Sequence, residues 1–340
     1  MPTKKEVQEY IENELPYLIL MRLYENSRAS LRELGKELKI SYHVIKSVLK
    51  RLEKEYALFN TLDLDETKLR FTEGRIITVK FGTRPNIDDM KMRLHKDIFV
   101  QDAFLAEGDF DLVLYVVGLT QNDFQQWQWN LRTDFSNYKP SFKIASISGK
   151  SIGFLPLRNE LIKETTVLSD TEKKVLMLLN DNSRSKISDI SQKIKSNPNR
   201  IIYIIKKLTS IGVIKRFSSL TQNPNKKVIM AYATSLIPLK EHEEFALEFA
   251  KELLKEDFHE SVNDYALDLS TNGSWDTFDI CVFSNGEVLL KRGSDLLHSI
   301  WIKEDPKIEK AILTDVIIGK WPFHLEKYEK FKKFVNVETS

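Results

Sequence analysis

The chain is poor in several things that would announce a function. Cysteine occurs once among 340 residues, as Cys281. That rules out an intrachain disulfide and a cysteine-based zinc cage, and a reducing compartment fits. In a strand, Cys281 reads as a small core residue. Glycine is scarce, at 12 residues, roughly half of ordinary usage, so loops are short and a glycine-rich nucleotide cradle is not expected. Long apolar runs are missing: stretches such as Tyr17–Met21, Ile201–Ile205 and Val228–Ala233 are short, far below the roughly 18 residues of a membrane span. The N-terminus is charged and has no apolar signal core. The expectation is a soluble, cytoplasmic protein with no membrane partner. No charge of one sign dominates. Lys plus Arg is 51 and Asp plus Glu 49, a formal net charge of +2. This excludes a wholly basic nucleic-acid coat but not a local basic face. The six histidines (His43, His95, His242, His259, His298, His324) are scattered, and none has a convincing helix-spaced partner. No metal, no cofactor and no nucleophilic constellation is expected.

What the chain does have is a repeat. Displaced by 156 positions, the segment Tyr17–Asn60 aligns with Lys173–Arg216 without a gap. Asn26-Ser27-Arg28 meets Asn182-Ser183-Arg184, Lys39 meets Lys195, Lys50 meets Lys206 and Leu52 meets Leu208. Apolar positions match in type, as in Leu34/Ile190 and Ile45/Ile201. Further on, at an offset of 165, Gly108-Asp109-Phe110-Asp111 meets Gly273-Ser274-Trp275-Asp276. The chain reads as two copies of a two-part unit.

The first part shows three helical patterns. The first runs Pro16–Tyr24 in copy one. In copy two, Ser169 and Glu172 have capping-box spacing ahead of Val175, Leu176 and Leu179. Short second helices follow, near Ser30–Leu38 and Lys186–Ile194. Third helices start at Ser41 and Asn197, with Ile45, Val48, Leu49 and Leu52, and Ile201, Ile204, Ile205 and Leu208, as apolar stripes. A turn from helix into strand at Gly212–Phe217 completes a winged helix-turn-helix, with a strand hairpin expected as the wing. Such a unit places its last helix in the major groove of double-stranded DNA. The outward faces support it: Tyr42, His43, Lys46, Ser47 and Lys50 in copy one, and Asn199, Arg200, Tyr203 and Lys206 beside Ile202 in copy two. Arg28, Arg32, Lys36 and Lys39 are expected to flank as phosphate contacts. The bland alternative is a solvated lysine-bearing surface. Residues 161–220 carry a net charge of +7 and residues 1–60 one of +2, so copy two has the stronger phosphate attraction and the odder reading face.

The second part reads strand, helix, strand, strand, helix, strand. In copy one these are Ile76–Phe81, Ile87–Asp97, Val100–Glu107, Leu112–Val117, Asn122–Phe135 and Phe142–Ser148. In copy two they are Val228–Leu236, Glu241–Lys255, Ser261–Leu269, Phe278–Phe283, Val288–Ile302 and Ala311–Ile318. That order is ferredoxin-like, an antiparallel sheet with both helices on one face. The open face needs cover, so self-association is expected between the two sheets of one chain or between chains. The fold class is α+β, with winged helices at 1–62 and 165–222, ferredoxin-like domains at 71–156 and 226–322, and a C-terminal helical tail at 323–340.

At this point the residues resemble the Lrp/AsnC (leucine-responsive, "feast/famine") transcription regulators. Leu168–Leu176 looks like that family's opening helix, and Glu25–Ser41 resembles its second helix and turn. Lys50–Glu53, and Lys206–Leu208 through Gly212–Ile214, resemble the end of its recognition helix. Gly108–Asp111 and Gly273–Asp276 are similar to the G-x-[YFW]-D turn of its sensor (RAM-type) domain. The resemblance implies a transcription regulator, here doubled within one chain. It also implies a small amino-acid effector near Gly108, Asp109, Asp111, Gly273 and Asp276, although such turns also serve as plain hairpin connections. The chain departs from the family at Ser47, Val48, Tyr203 and Ile204, where basic residues are usual, and at Tyr56-Ala57, where Gly-Val is. Paired chains resembling this family decarboxylate sirohaem, which needs His and Arg around a tetrapyrrole. Leu112–Val116 and Thr277–Val282 carry neither, so the expectation is that the chain is not an enzyme. A third alternative is a protein–protein adaptor of the transcription machinery.

Overall fold

A computed structural model describes residues 11, 15–55, 57–72, 74–152, 154–222, 228–235, 265–283 and 307–319. The expected helices Glu241–Lys255 and Val288–Ile302, the tail 323–340 and the Cys281 side chain lie outside the described residues. The chain divides into two compact units. One joins residues 1–71 with 156–224, and the other joins 72–155 with 225–319.

The first unit holds two three-helix patterns. Copy one has α1 (Leu15–Glu25), α2 (Leu31–Glu37), α3 (Tyr42–Glu55) and the strand β1 (Ala57–Leu64). Copy two has α7 (Asp170–Asp181), α8 (Ile187–Ile194), α9 (Pro198–Ser210) and β6 (Ile214–Gln222), preceded by a short helix α6 (Asn159–Glu164) that the sequence pattern does not reveal. Local chemistry starts these helices. Ser30 and Glu33 close a capping box on α2, and Ser169 and Glu172 close the expected one on α7. Asn197 caps α9, with Pro198 as its first residue. In each copy the turn before the third helix passes through a left-handed lysine, Lys39 at φ 55° and Lys195 at φ 57°. That conformation is uncommon outside glycine, and its recurrence marks the same turn twice. A Cβ on Gly35 would lie 2.7 Å from the Ile40 carbonyl. Copy two carries Ser191 there, and its hydroxyl donates to the Ser196 carbonyl. The stripe Ile45, Val48, Leu49 and Leu52 packs against Leu15, Ile19, Leu23 and Leu34. Ile201, Ile204 and Leu208 are buried likewise.

The expected hairpin wing is not what forms. A single strand follows each third helix, and β1 pairs antiparallel with β6, from Ala57 opposite Gln222 to Leu64 opposite Ile214. Each copy therefore completes the other's ladder, and the backbone groups a hairpin would have paired locally are satisfied across the seam.

The second unit is built on eight described strands. Copy one runs β2 (Arg75–Phe81), α4 (Ile87–His95), β3 (Val100–Gly108), β4 (Leu112–Val116), α5 (Gln121–Asp134) and β5 (Pro140–Ile152). Copy two contributes β7 (Val228–Ser235), β8 (Tyr265–Gly273), β9 (Thr277–Phe283) and β10 (Lys307–Ile318). The strands close a barrel in the order β10-β3-β4-β2-β5-β8-β9-β7. The expected pairing of the two sheets is thus made within one chain and through their edges. β5 pairs with β8, and β10 pairs with β3. Closure removes free edges, and it explains why β4 is buried at every position. One face of copy one's sheet, with Ile77, Val79, Leu112, Leu114 and Val116, packs under Met90, Leu94, Phe124, Trp127 and Leu131 of its helices. Asp97 ties α5 to the end of α4 by accepting from Trp127 Nε1 at 2.5 Å, and it pairs with Arg93.

The two closures are made the same way. Gly108 stands opposite Ala311, and Gly273 opposite Ala145. A Cβ on Gly108 would lie 2.4 Å from the Lys310 carbonyl, and one on Gly273 would lie 2.6 Å from that of Ile144. Both glycines also take positive φ, 149° and 138°. Gly108→Ala is therefore expected to destabilise the protein by about 2 kcal/mol or more, through steric conflict added to backbone strain. Thermal unfolding that shows no loss would mean that the β3–β10 edge is not closed as described.

Candidate nucleic-acid interface

The exposed side of the winged-helix unit decides what it can touch. On α3, Tyr42, His43, Lys46, Ser47 and Lys50 are all exposed, and the Tyr42 and His43 rings meet edge to face at 5.5 Å. Lys36 and Lys39 are exposed beside the turn that leads into α3. On α9, Asn199, Arg200, Tyr203 and Lys206 are exposed, with Ile202 among them at 40% exposure. An apolar side chain so placed can touch a thymine methyl or pack on protein, and single exposed apolar residues are also ordinary on protein surfaces. Between Asp189 and Glu241 the sequence holds no acidic residue and ten basic ones. The segment that carries α9 thus has no carboxylate of its own, and Glu172 of α7 approaches it at Lys207.

Arg28 needs correction. It was expected at the phosphates, but its Nη1 donates to the carbonyls of Ser183 at 2.7 Å and Ser185 at 3.1 Å in the other copy. The guanidinium also lies over the Phe217 ring at 5.5 Å. Burial, and then the neighbouring Arg184 charge, push its pKa below the usual arginine value. Arg28 belongs to a seam that repeats the same contacts from both sides. Ser27 and Ser183, equivalent residues of the two copies, share a hydroxyl–hydroxyl hydrogen bond of 2.6 Å. Thr61 donates to the Asn180 carbonyl at 2.8 Å, and Ser218 donates to the equivalent carbonyl of Tyr24 at 2.7 Å. Asn26 and Asn182 each accept from the amide two residues on, at 3.0 Å. The seam was missed although its signal was available. The one identical polar triplet of the repeat, Asn-Ser-Arg, sits here, where two copies that touch themselves need the same residues.

Lys207, next to Lys206, is committed elsewhere. Its ammonium lies 2.6 Å from Glu172 on α7. Burial alone would raise the Glu172 pKa, but the Lys207 contact and the Ser169 cap outweigh it and hold the carboxyl below its ordinary value.

The turns read as effector sites carry structural bonds. Asp109 N–H donates to the Lys310 carbonyl at 2.9 Å, and its carboxylate accepts from Lys310 N–H at 2.8 Å. Asp111 accepts from Phe81 N–H and from Lys80 Nζ, both at 2.8 Å. Gly108 and Gly273 allow the close strand approach described above. The Asp276 carbonyl accepts from Thr271 N–H at 2.7 Å. Among the described residues, no group of three or more His, Cys, Asp or Glu is arranged to hold a metal, and no helix is long and apolar enough to cross a membrane.

Comparison with known proteins now bears on these surfaces. Residues 168–215, which span α7 to the start of β6, match a family described as winged helix-turn-helix DNA-binding. The chain is similar to the Lrp/AsnC regulators. One solved example is a transcriptional regulatory protein of the AsnC family from Pyrococcus furiosus, 21% identical, with a TM-score of 0.31; the match covers 42% of this chain and 88% of that one. The crystal structure of the siroheme decarboxylase NirDL matches over 95% of this chain and 98% of its own, with a TM-score of 0.61 and 12% identity. The same enzyme in complex with an iron-uroporphyrin III analogue matches with a TM-score of 0.59, also at 12% identity. No curated protein matches the chain.

The expectation that the chain is not an enzyme is overturned by these structures, because the fold that runs through almost the whole chain is also an enzyme's fold. Its ground was too narrow: Leu112–Val116 and Thr277–Val282 are two strands only, and Arg75, Arg93, His95 and Arg132 lie elsewhere in the same unit.

Two outcomes check the site geometry. Arg28→Ala should cost roughly 1–3 kcal/mol of stability, by leaving two part-buried carbonyls without their donor, and should leave the salt dependence of DNA binding unchanged. A flatter salt dependence would return Arg28 to the phosphates. Glu172→Gln should cost about 0.5–1 kcal/mol at pH 7 through loss of the Lys207 pair. Because the folded carboxyl titrates below its unfolded value, that stabilisation is present above about pH 4.3 and is lost as pH falls through the folded pKa. The two proteins should then unfold alike in acid; a constant difference down to low pH would assign the effect to the cap alone.

Proposed function

We propose that the chain is a sequence-specific DNA-binding transcription regulator, built as a tandem pseudo-dimer of winged helix and ferredoxin-like parts. The observation that carries this reading is the stretch around α9. It lies in the segment similar to DNA-binding winged helices, and it combines exposed Asn199, Arg200 and Lys206 with the absence of any acidic residue from 190 to 240. Lys and Arg neutralise phosphates, and Asn and Arg form paired hydrogen bonds with adenine and guanine edges. The corresponding face of α3, with Lys46 and Lys50, supplies the second contact. The ferredoxin-like parts carry the self-association, and in this reading it is internal to the chain.

A second reading has one specific observation behind it: the fold of a siroheme decarboxylase extends over both halves of this chain. It would make the chain a tetrapyrrole-binding enzyme. Titration with an iron porphyrin, followed by visible absorption, separates the two readings. A saturable band shift at one equivalent favours the enzyme, and an unchanged spectrum removes it.

The regulator reading is tested by the salt dependence of binding to duplex DNA, measured by fluorescence anisotropy. Affinity should fall steeply with salt. Arg200→Ala combined with Lys206→Ala should flatten the slope of log K against log salt by roughly 1–2 units. An unchanged slope would mean that α9 does not lie on DNA.

A further inference from the structure

We propose that a single chain reads one non-palindromic duplex site, composed of two unlike half-sites in inverted orientation at a fixed spacing. The inference rests on the DNA-binding reading and goes beyond it by specifying the form of the partner.

The relation between the two winged helices supplies the orientation. Their strands β1 and β6 run antiparallel. Ser27 meets its own equivalent, Ser183, and the equivalent carbonyls of Tyr24 and Asn180 each receive a hydroxyl from the opposite copy's strand. Equivalent residues that contact one another, with reciprocal contacts on either side, define a two-fold relation. Two recognition helices so related face half-sites that run in opposite directions along the duplex. The seam is also fixed, because it combines a strand ladder, a buried hydroxyl pair and the Arg28 bridge. Rotation of one winged helix against the other would break all three. The spacing between half-sites is then a property of the chain.

The two reading faces are not equivalent. At positions related by the repeat, His43 corresponds to Asn199, Lys46 to Ile202 and Ser47 to Tyr203, while Lys50 and Lys206 agree; exposed Arg200 has no polar counterpart, because Val44 packs on the core of copy one. Asn prefers adenine, Arg and Lys prefer guanine, and an apolar side chain favours the thymine methyl. A two-fold scaffold with unlike faces selects unlike halves, whereas a homodimer of the same architecture selects a palindrome.

The experiment is in vitro selection from random duplexes with the full-length chain, followed by binding measurements on the selected site. The expected product is a bipartite site whose halves differ and cannot be aligned as inverted repeats. Inserting about five base pairs, half a helical turn, between the halves should weaken binding by about tenfold or more. Lys46→Ala should change the bases selected in one half only, and Asn199→Ala those in the other half only. A palindromic product, indifference to the insertion, or both variants altering the same half would each overturn the inference while leaving DNA binding intact. Failure to enrich any duplex, with no anisotropy change at low salt, would overturn the DNA-binding reading and this inference together.

Discussion

The antiparallel ladder between β1 and β6 is the constraint on which the winged-helix unit depends. Each strand follows the third helix of its copy and has no hairpin partner of its own. A two-stranded ribbon is marginal alone in water, and this one is held by what surrounds it. The Ser27 amide donates to the Phe217 carbonyl, the Ser183 amide to that of Asn60, and Arg216 pairs with Asp63 across the strands. The two amides lie in the turns that follow α1 and α7, and the ion pair lies within the ladder itself. The ladder therefore makes one body of the two three-helix patterns, and the relative orientation of α3 and α9 follows from it.

The strand-rich unit solves its edge problem in the same manner. Each set of four strands has two edges, and each edge finds the other copy. Gly108 and Gly273 mark the two crossings, where the neighbouring backbone leaves no room for a Cβ and the turn takes positive φ. Asp109 and Ser274 then bond the edge strand from the turn itself, through Lys310 and Ile144. In these turns, what a family resemblance marks as sensor chemistry is also the chemistry of strand docking.

Much of this was legible in the sequence where a single period or a single cap decides an element. The stripe Ile45, Val48, Leu49 and Leu52, the Ser169–Glu172 cap and the strand–turn–strand around Gly108 all follow from local rules. The outward set on α3 is exposed as its spacing implies. The edge closure and α6 were not legible, because they are decided by contacts between residues more than a hundred positions apart or by packing without a period; the seam left one trace, the identical Asn-Ser-Arg triplet. Arg28 illustrates the difference. An arginine beside a recognition helix reads as a phosphate ligand, and only the second copy's carbonyls reveal another use. Reading the absence of His and Arg from two strands as the absence of catalysis failed for a similar reason: a fold that spans the whole chain offers more surface than two strands.

In the proposed reading, α3 and α9 are both built into one polypeptide, so their relative geometry does not depend on the assembly of separate chains. Amide hydrogen exchange resolved along β1 and β6 tests this central claim most directly. Protection should be high and alike for the amides of β1 and β6 that donate into the ladder in the DNA-free protein, and the two strands should open together. Exchange in both strands at the rate of open loops, or protection of one strand without the other, would contradict a fixed seam.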